Sequence, residues 1–184
     1  MAKLIHRKMF GQSRGSAVTD NLTIESRDET APQGILGLTV PTGRAVWIDH
    51  MVTSLHLNSA GWHGGPGGHT MLFHDRNTID TEGEKWKFEA NGDGTYTITN
   101  AESGHELIVM DDKPYKRVVL SGPRQSGGQK WRLQRSGLFD SFSLHPADDL
   151  SVAVAPLNNT NLHLYLLPFQ PYLTQFFTVT DRNV

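Results

Sequence analysis

The chain has 184 residues, 17 Lys+Arg against 19 Asp+Glu for a formal net charge of −2, and no cysteine. Thiol catalysis, thiolate metal sites and a disulfide framework are excluded, and interspersed, balanced charge argues against a nucleic-acid partner, which needs a concentrated basic face. No run of about 18 apolar residues suggests membrane insertion and MAKLIHRKMFGQSRG lacks the apolar core of a signal peptide, so a soluble cytoplasmic protein is expected, long enough as one domain to bury its own core.

Residues 1–30 are polar apart from the short alternation Asn21-Leu22-Thr23-Ile24-Glu25, and read as a tail or a capping strand ahead of a single domain over 31–184. Gly11-Gln12-Ser13-Arg14-Gly15 fits the G-x-S-x-G pattern of a hydrolase nucleophile elbow, but that turn must join a buried strand to a helix, and neither flank qualifies. From Leu38 the pattern becomes strand, glycine turn, strand: Leu38-Thr-Val40, Gly43, then Val46-Trp47-Ile48-Asp49. Set against Tyr96-Thr-Ile98, Gly104 and Leu107-Ile-Val109-Met-Asp111, it pairs Gly43 with Gly104 and implies about fifteen extra residues later in the first unit. Those extra residues are assigned to the glycine-rich stretch Ala60–His69, unable to hold regular structure, with Trp62 as its one large side chain and a candidate contact residue. His63, His69 and His74 lack the carboxylate or cysteine partners that a metal site would need, so neither metal nor cofactor is expected.

Two copies of one phrase follow, Glu84-Lys85-Trp86-Lys87-Phe88 and Gln129-Lys130-Trp131-Arg132-Leu133, and a degenerate third, Gln175-Phe176-Phe177-Thr178-Val179. Trp86 and Trp131 lie 45 positions apart, Trp131 and Phe177 46. A fixed period of this length marks repeated units that cannot bury their apolar faces alone. Repeats over about 35–88, 89–133 and 134–180, each with four short strands, predict an all-β, closed, pseudo-threefold architecture of twelve strands with the three aromatics in its core. Asn91-Gly92-Asp93-Gly94 is a strong hairpin signal in the second repeat, and no segment reads as a helix of normal length.

Gln129-x-Trp131, with Tyr96-x-Ile98-x-Asn100-x-x-Ser103-Gly104 and Leu107-x-Val109 upstream, resembles the ricin-B-type (QxW) β-trefoil lectins, most closely the cysteine-free fungal kind. The resemblance implies a non-enzymatic, carbohydrate-binding protein. It also implies that the phrase's Gln and Trp are structural, the ring packed in the core and the amide tying loops together. The family's sugar-binding Asp lies between the two apolar residues of the second strand, where this chain has Trp47, Ile108 and Ser151. A glycan site must therefore be built differently.

Sugar hydroxyls call for acceptors and donors, and a sugar ring face for an aromatic. Asp111, Asp112 and Tyr115 in the turn Met110–Lys116 offer both, with Asp49, Asn158, Asn159 and Trp62 as further candidates. Glycans or glycoproteins would be the partners, and a homodimer would raise avidity. The alternative from another class is a β-trefoil inhibitor presenting Arg124, in Ser121-Gly-Pro-Arg-Gln-Ser126, or Arg44 to a protease, although tight inhibition needs a rigid loop and Gly127-Gly128 oppose rigidity.

Overall fold

Short apolar–polar alternations closed by glycine, asparagine or proline make strands. The computed structural model describes residues 40–60, 68–75, 83–121, 128–137 and 139–181, and contains twelve. They are β1 (Ala45–His50), β2 (Leu55–Ala60), β3 (His69–Asp75), β4 (Lys85–Ala90), β5 (Tyr96–Asn100), β6 (Leu107–Asp112), β7 (Tyr115–Leu120), β8 (Trp131–Arg135), β9 (Ser141–Pro146), β10 (Val152–Pro156), β11 (Leu164–Pro168) and β12 (Phe177–Thr180). The helical content of the described residues is one 3-10 turn, Leu173–Gln175, and no described helix is long and apolar enough to cross a membrane. The segment 1–30, Trp62 and Arg124 lie outside the described residues.

Six strands close on themselves. Antiparallel pairing runs β1–β4–β5–β8–β9–β12 and back to β1, which leaves this barrel without an edge. The hairpins β2–β3, β6–β7 and β10–β11 join over it through β3–β7 and β7–β11 pairing. Each repeat thus supplies two barrel strands and the hairpin between them, and the fold is a β-trefoil.

Trp86, Trp131 and Phe177 occupy matching places in β4, β8 and β12, all fully buried. Indole is large and apolar but carries one N–H that needs an acceptor when buried. Trp86 Nε1 donates to Leu57 O and Trp131 Nε1 to Leu107 O, both at 2.8 Å, so each ring ties its barrel strand to the hairpin of its own repeat. Phe177 has no donor. In the third repeat His145 Nδ1 instead donates to Val152 O at 2.7 Å, at the start of β10. Phe88, Phe142 and Phe177 pack ring against ring at 6.4–6.5 Å between centroids to fill the barrel.

The first repeat is shifted from the expected register. Val46–Ile48 belongs to barrel strand β1, the counterpart of β5, rather than to the counterpart of β6. The residue that matches Gly104 (φ 69°) is Ser54 (φ 58°): Gly104 N–H donates to Asn100 O at 3.0 Å, and Ser54 N–H to His50 O at 3.2 Å. Gly43 precedes β1 and plays no such part. A left-handed position normally reads as glycine, and here it holds serine. Leu57 to Trp86 spans 29 positions against 24 from Leu107 to Trp131, so this part of the first repeat is longer by five residues, not about fifteen. With that register Trp47 no longer stands at the family's Asp position.

Candidate functional site

The β6–β7 hairpin ends in the tight turn Asp112-Lys-Pro-Tyr115, in which the pairing Asp112↔Tyr115 and Asp111↔Lys116 fixes the side chains at its tip. Strand alternation sends Val109, Asp111 and Lys116 toward the barrel side of the sheet. There they overhang the approach to β8 and the β9–β10 turn. The result is a cleft of about 500 Å³ lined by Val109, Asp111, Pro114, Tyr115, Lys116, Gln129, Pro146, Asp148, Asp149, Val152 and Leu166. Three carboxylates, one ammonium, one amide and one phenol surround an apolar floor, a composition suited to a ligand with hydroxyl edges and a hydrocarbon face.

Asp149 is fixed within that wall. Its Oδ1 accepts from Ser151 Oγ at 2.5 Å and Ser151 N at 3.0 Å, and the hydroxyl bond above all holds its carboxyl below the usual range. It therefore stays an acceptor at any pH near neutral. Gln129 Nε2 donates to Lys130 O at 3.0 Å, a bond to its own neighbour, while the side chain lines the cleft. The expectation that this amide ties loops together is corrected here. The role is filled in the third repeat by buried Gln175, whose Oε1 accepts from Gln170 N at 2.7 Å and whose Nε2 donates to Pro168 O at 3.1 Å.

Tyr115, 43% exposed, also borders a second cleft of about 480 Å³ on the outer face of the same hairpins. Its other walls include Ala155, Leu157, Asn158, Asn159, Leu167, Gln170 and Tyr172, and no lining side chain carries a full charge. Asn158 is partly committed, because its Oδ1 accepts from Thr160 N, Thr160 Oγ1 and Asn161 N at 2.7–2.9 Å and so builds its own turn.

The expected site residues thus divide. Asp111 and Tyr115 come together in the inner cleft, and Asn158 and Asn159 meet Tyr115 in the outer one. Asp112 faces away and pairs with Arg117 at 2.5 Å. Asp49 is a correction: it is fully buried, its carboxylate bound by His56 and by the Thr180 hydroxyl, because it sits in β1 where barrel and hairpin join. The Arg44 guanidinium, expected in an inhibitory loop, is paired with Asp181. Asp148, Asp149, Gln129 and Tyr172 were not expected. The acidic pair in His145-Pro-Ala-Asp-Asp149 carries the same signal as Asp111-Asp112 but reads as a turn until the fold places it opposite Tyr115.

Ser143 Oγ lies 2.7 Å from His145 Nε2, a hydroxyl–imidazole pair of the kind nucleophilic catalysis uses. Both residues are fully buried, however, and Nδ1 donates to the Val152 carbonyl where a triad would have a carboxylate. The pair is a structural link between β9 and β10. Among the described residues no three His, Asp or Glu side chains form a group able to hold a metal ion.

No family model and no curated protein matches the sequence. Solved structures do match the fold. A designed threefold-symmetric protein, ThreeFoil, superposes with a TM-score of 0.65 at 16% identity over 74% of this chain and 98% of its own. The agglutinin of Rhizoctonia solani gives 0.64 at 16% identity over 79% and 99%. The Macrolepiota procera ricin B-like lectin, solved with lactose, gives 0.62 at 16% identity over 77% and 97%. At such identities the likeness concerns architecture alone, and the architecture it shows is the β-trefoil.

Proposed function

We propose that the protein is a non-enzymatic, carbohydrate-binding β-trefoil whose principal glycan site is the cleft beneath the β6–β7 turn. The observation that carries the reading is the convergence of Asp111, Lys116, Gln129, Asp148 and Asp149 around the exposed ring of Tyr115. Carboxylates and the amide oxygen accept from sugar hydroxyls, Lys116 donates, and Tyr115 with Pro114 supplies a face for the sugar's C–H side. Two of the structures that share the fold are a lectin holding lactose and an agglutinin, which supports the ligand class. The outer cleft, with Asn158, Asn159 and Tyr172 on the other side of Tyr115, serves as a second subsite.

A shallow cleft of this kind holds a single sugar at about 1 mM, roughly −4 kcal/mol. The test is a glycan array followed by titration of the best sugar, with lactose as the first probe, into wild type, Asp111→Ala and Tyr115→Ala. Removing the charged acceptor costs about 1.5–3 kcal/mol, at least tenfold in affinity. Unchanged affinity in both variants removes the site from this cleft.

A further inference from the structure

The three hairpins meet at His69 in β3, Arg117 in β7 and His163 just before β11, one residue from each repeat. Arg117 Nη1 lies 2.9 Å from His69 Nδ1. A guanidinium has no acceptor, so this bond exists only while Nδ1 keeps its lone pair, that is, while His69 is neutral. The His163 ring meets His69 edge-on at 5.3 Å between centroids. Two polar atoms buried in the cluster, His163 Nδ1 and Arg117 Nε, have no hydrogen-bond partner. Burial first, then the charges of His69 and Arg117 beside it, lower the His163 pKa.

Arg117 is also linked, through Tyr165, to Tyr115, which borders both clefts. Its Nη2 donates to Tyr165 Oη at 3.1 Å, its guanidinium lies 5.4 Å from the Tyr165 ring centroid, and that ring meets Tyr115 at 6.1 Å. Of the groups on the surrounding elements, β6 contributes Asp112, already paired with Arg117, and β11 contributes Tyr165. Lys116 on β7 lines the inner cleft opposite Asp111, and His56 on β2 is committed to Asp49 in the interior. Protonation of the histidines therefore sets imidazolium charge beside the Arg117 guanidinium, whose one carboxylate partner among the described residues is Asp112.

We propose that His69, Arg117 and His163 form an acid-sensitive latch where the three hairpins meet. Protons on the two histidines break the Arg117–His69 bond, part the hairpins and displace Tyr165 and Tyr115, so that the Tyr115 clefts lose their ligand at acid pH. The last clause rests on the glycan reading; the latch itself does not. Because the closed cluster lowers the His163 pKa, the closed latch binds fewer protons than the open one, so closure is favoured above the ordinary histidine pKa of about 6.5 and opposed below it.

The experiment follows histidine and tyrosine ring resonances of the full chain by NMR from pH 7.5 to 5.0, beside retention on immobilised lactose and on the best array sugar. The double variant His69→Gln/His163→Gln, in which an amide oxygen can still accept from Arg117 but cannot titrate, is the comparison. In wild type the Tyr115 and Tyr165 resonances should move with the histidine titration, and sugar affinity should fall about tenfold or more, one proton's linkage over one pH unit. The double variant should lose both responses. Tyrosine resonances that ignore the titration overturn the latch whether or not sugar binds, and so does acid weakening that persists in the double variant. If that variant does not fold, the wild-type spectra decide. Failure to bind sugar at pH 7.5 with the tyrosine shifts intact removes the glycan reading and leaves the latch standing.

Discussion

Replacing Trp131 tests how the trefoil is held together, because its indole both fills the core and bonds the hairpin of its repeat. Trp131→Ala removes a fully buried ring and should cost about 3–5 kcal/mol. Trp131→Phe keeps most of the apolar volume but strips the N–H that reaches Leu107 O at 2.8 Å. It leaves a buried carbonyl unpaired and should cost about 1–3 kcal/mol. Urea unfolding measures both. With m near 2 kcal/mol/M, a loss of 4 kcal/mol lowers the midpoint by roughly 2 M. Trp86→Ala should match Trp131→Ala, since Trp86 makes the corresponding bond to Leu57. A loss below about 1 kcal/mol for Trp131→Ala, or a harmless Trp131→Phe, would refute the argument that these rings weld barrel to hairpins.

Asp49→Asn replaces a buried carboxylate that is hydrogen-bonded to His56 and to the Thr180 hydroxyl, and should destabilise by about 1.5–3 kcal/mol while leaving sugar affinity unchanged, read by urea titration and by binding at a temperature where the variant is folded. Ser54→Gly relieves a left-handed serine, worth about 1–2 kcal/mol, against a glycine entropy cost of about 0.5–1 kcal/mol, so the midpoint should rise slightly; a fall would mean the serine hydroxyl matters more than its backbone. Burial lowers the pKa of His50 and of His145, so the native state holds fewer protons than the unfolded chain below about pH 6.5. Their contribution is complete above that pH and shrinks as the pH falls, by at most about 1.4 kcal/mol per pH unit for each histidine. His145→Gln should flatten the dependence, and a stability curve of unchanged slope between pH 6.5 and 5 would contradict this.

The strands were legible because a half-buried strand must alternate, and the closing phrase because its aromatic has no freedom to leave the core. The register of the first repeat was hidden by one residue: a left-handed turn that advertises itself as Gly104 in the second repeat is made by Ser54 in the first, while Gly43 offered a false match. The false match makes Asp49 the counterpart of Asp111 and so a ligand candidate, whereas it is a buried partner of His56. Part of the site could be read locally, since Asp111 and Tyr115 share one turn. The rest could not, because Gln129, Asp148 and Asp149 reach the cleft only after β8 and β9 have closed the barrel beneath it.

Amide chemical-shift mapping during titration of the best array sugar shows whether a glycan occupies the cleft beneath the β6–β7 turn. Shifts should concentrate at Val109, Asp111, Tyr115 and Lys116, at Gln129, and at Asp148–Val152, and saturate together near millimolar sugar. Shifts that cluster instead in the β2–β3 hairpin or along the barrel strands, or no shift with any sugar of the array, would contradict the account.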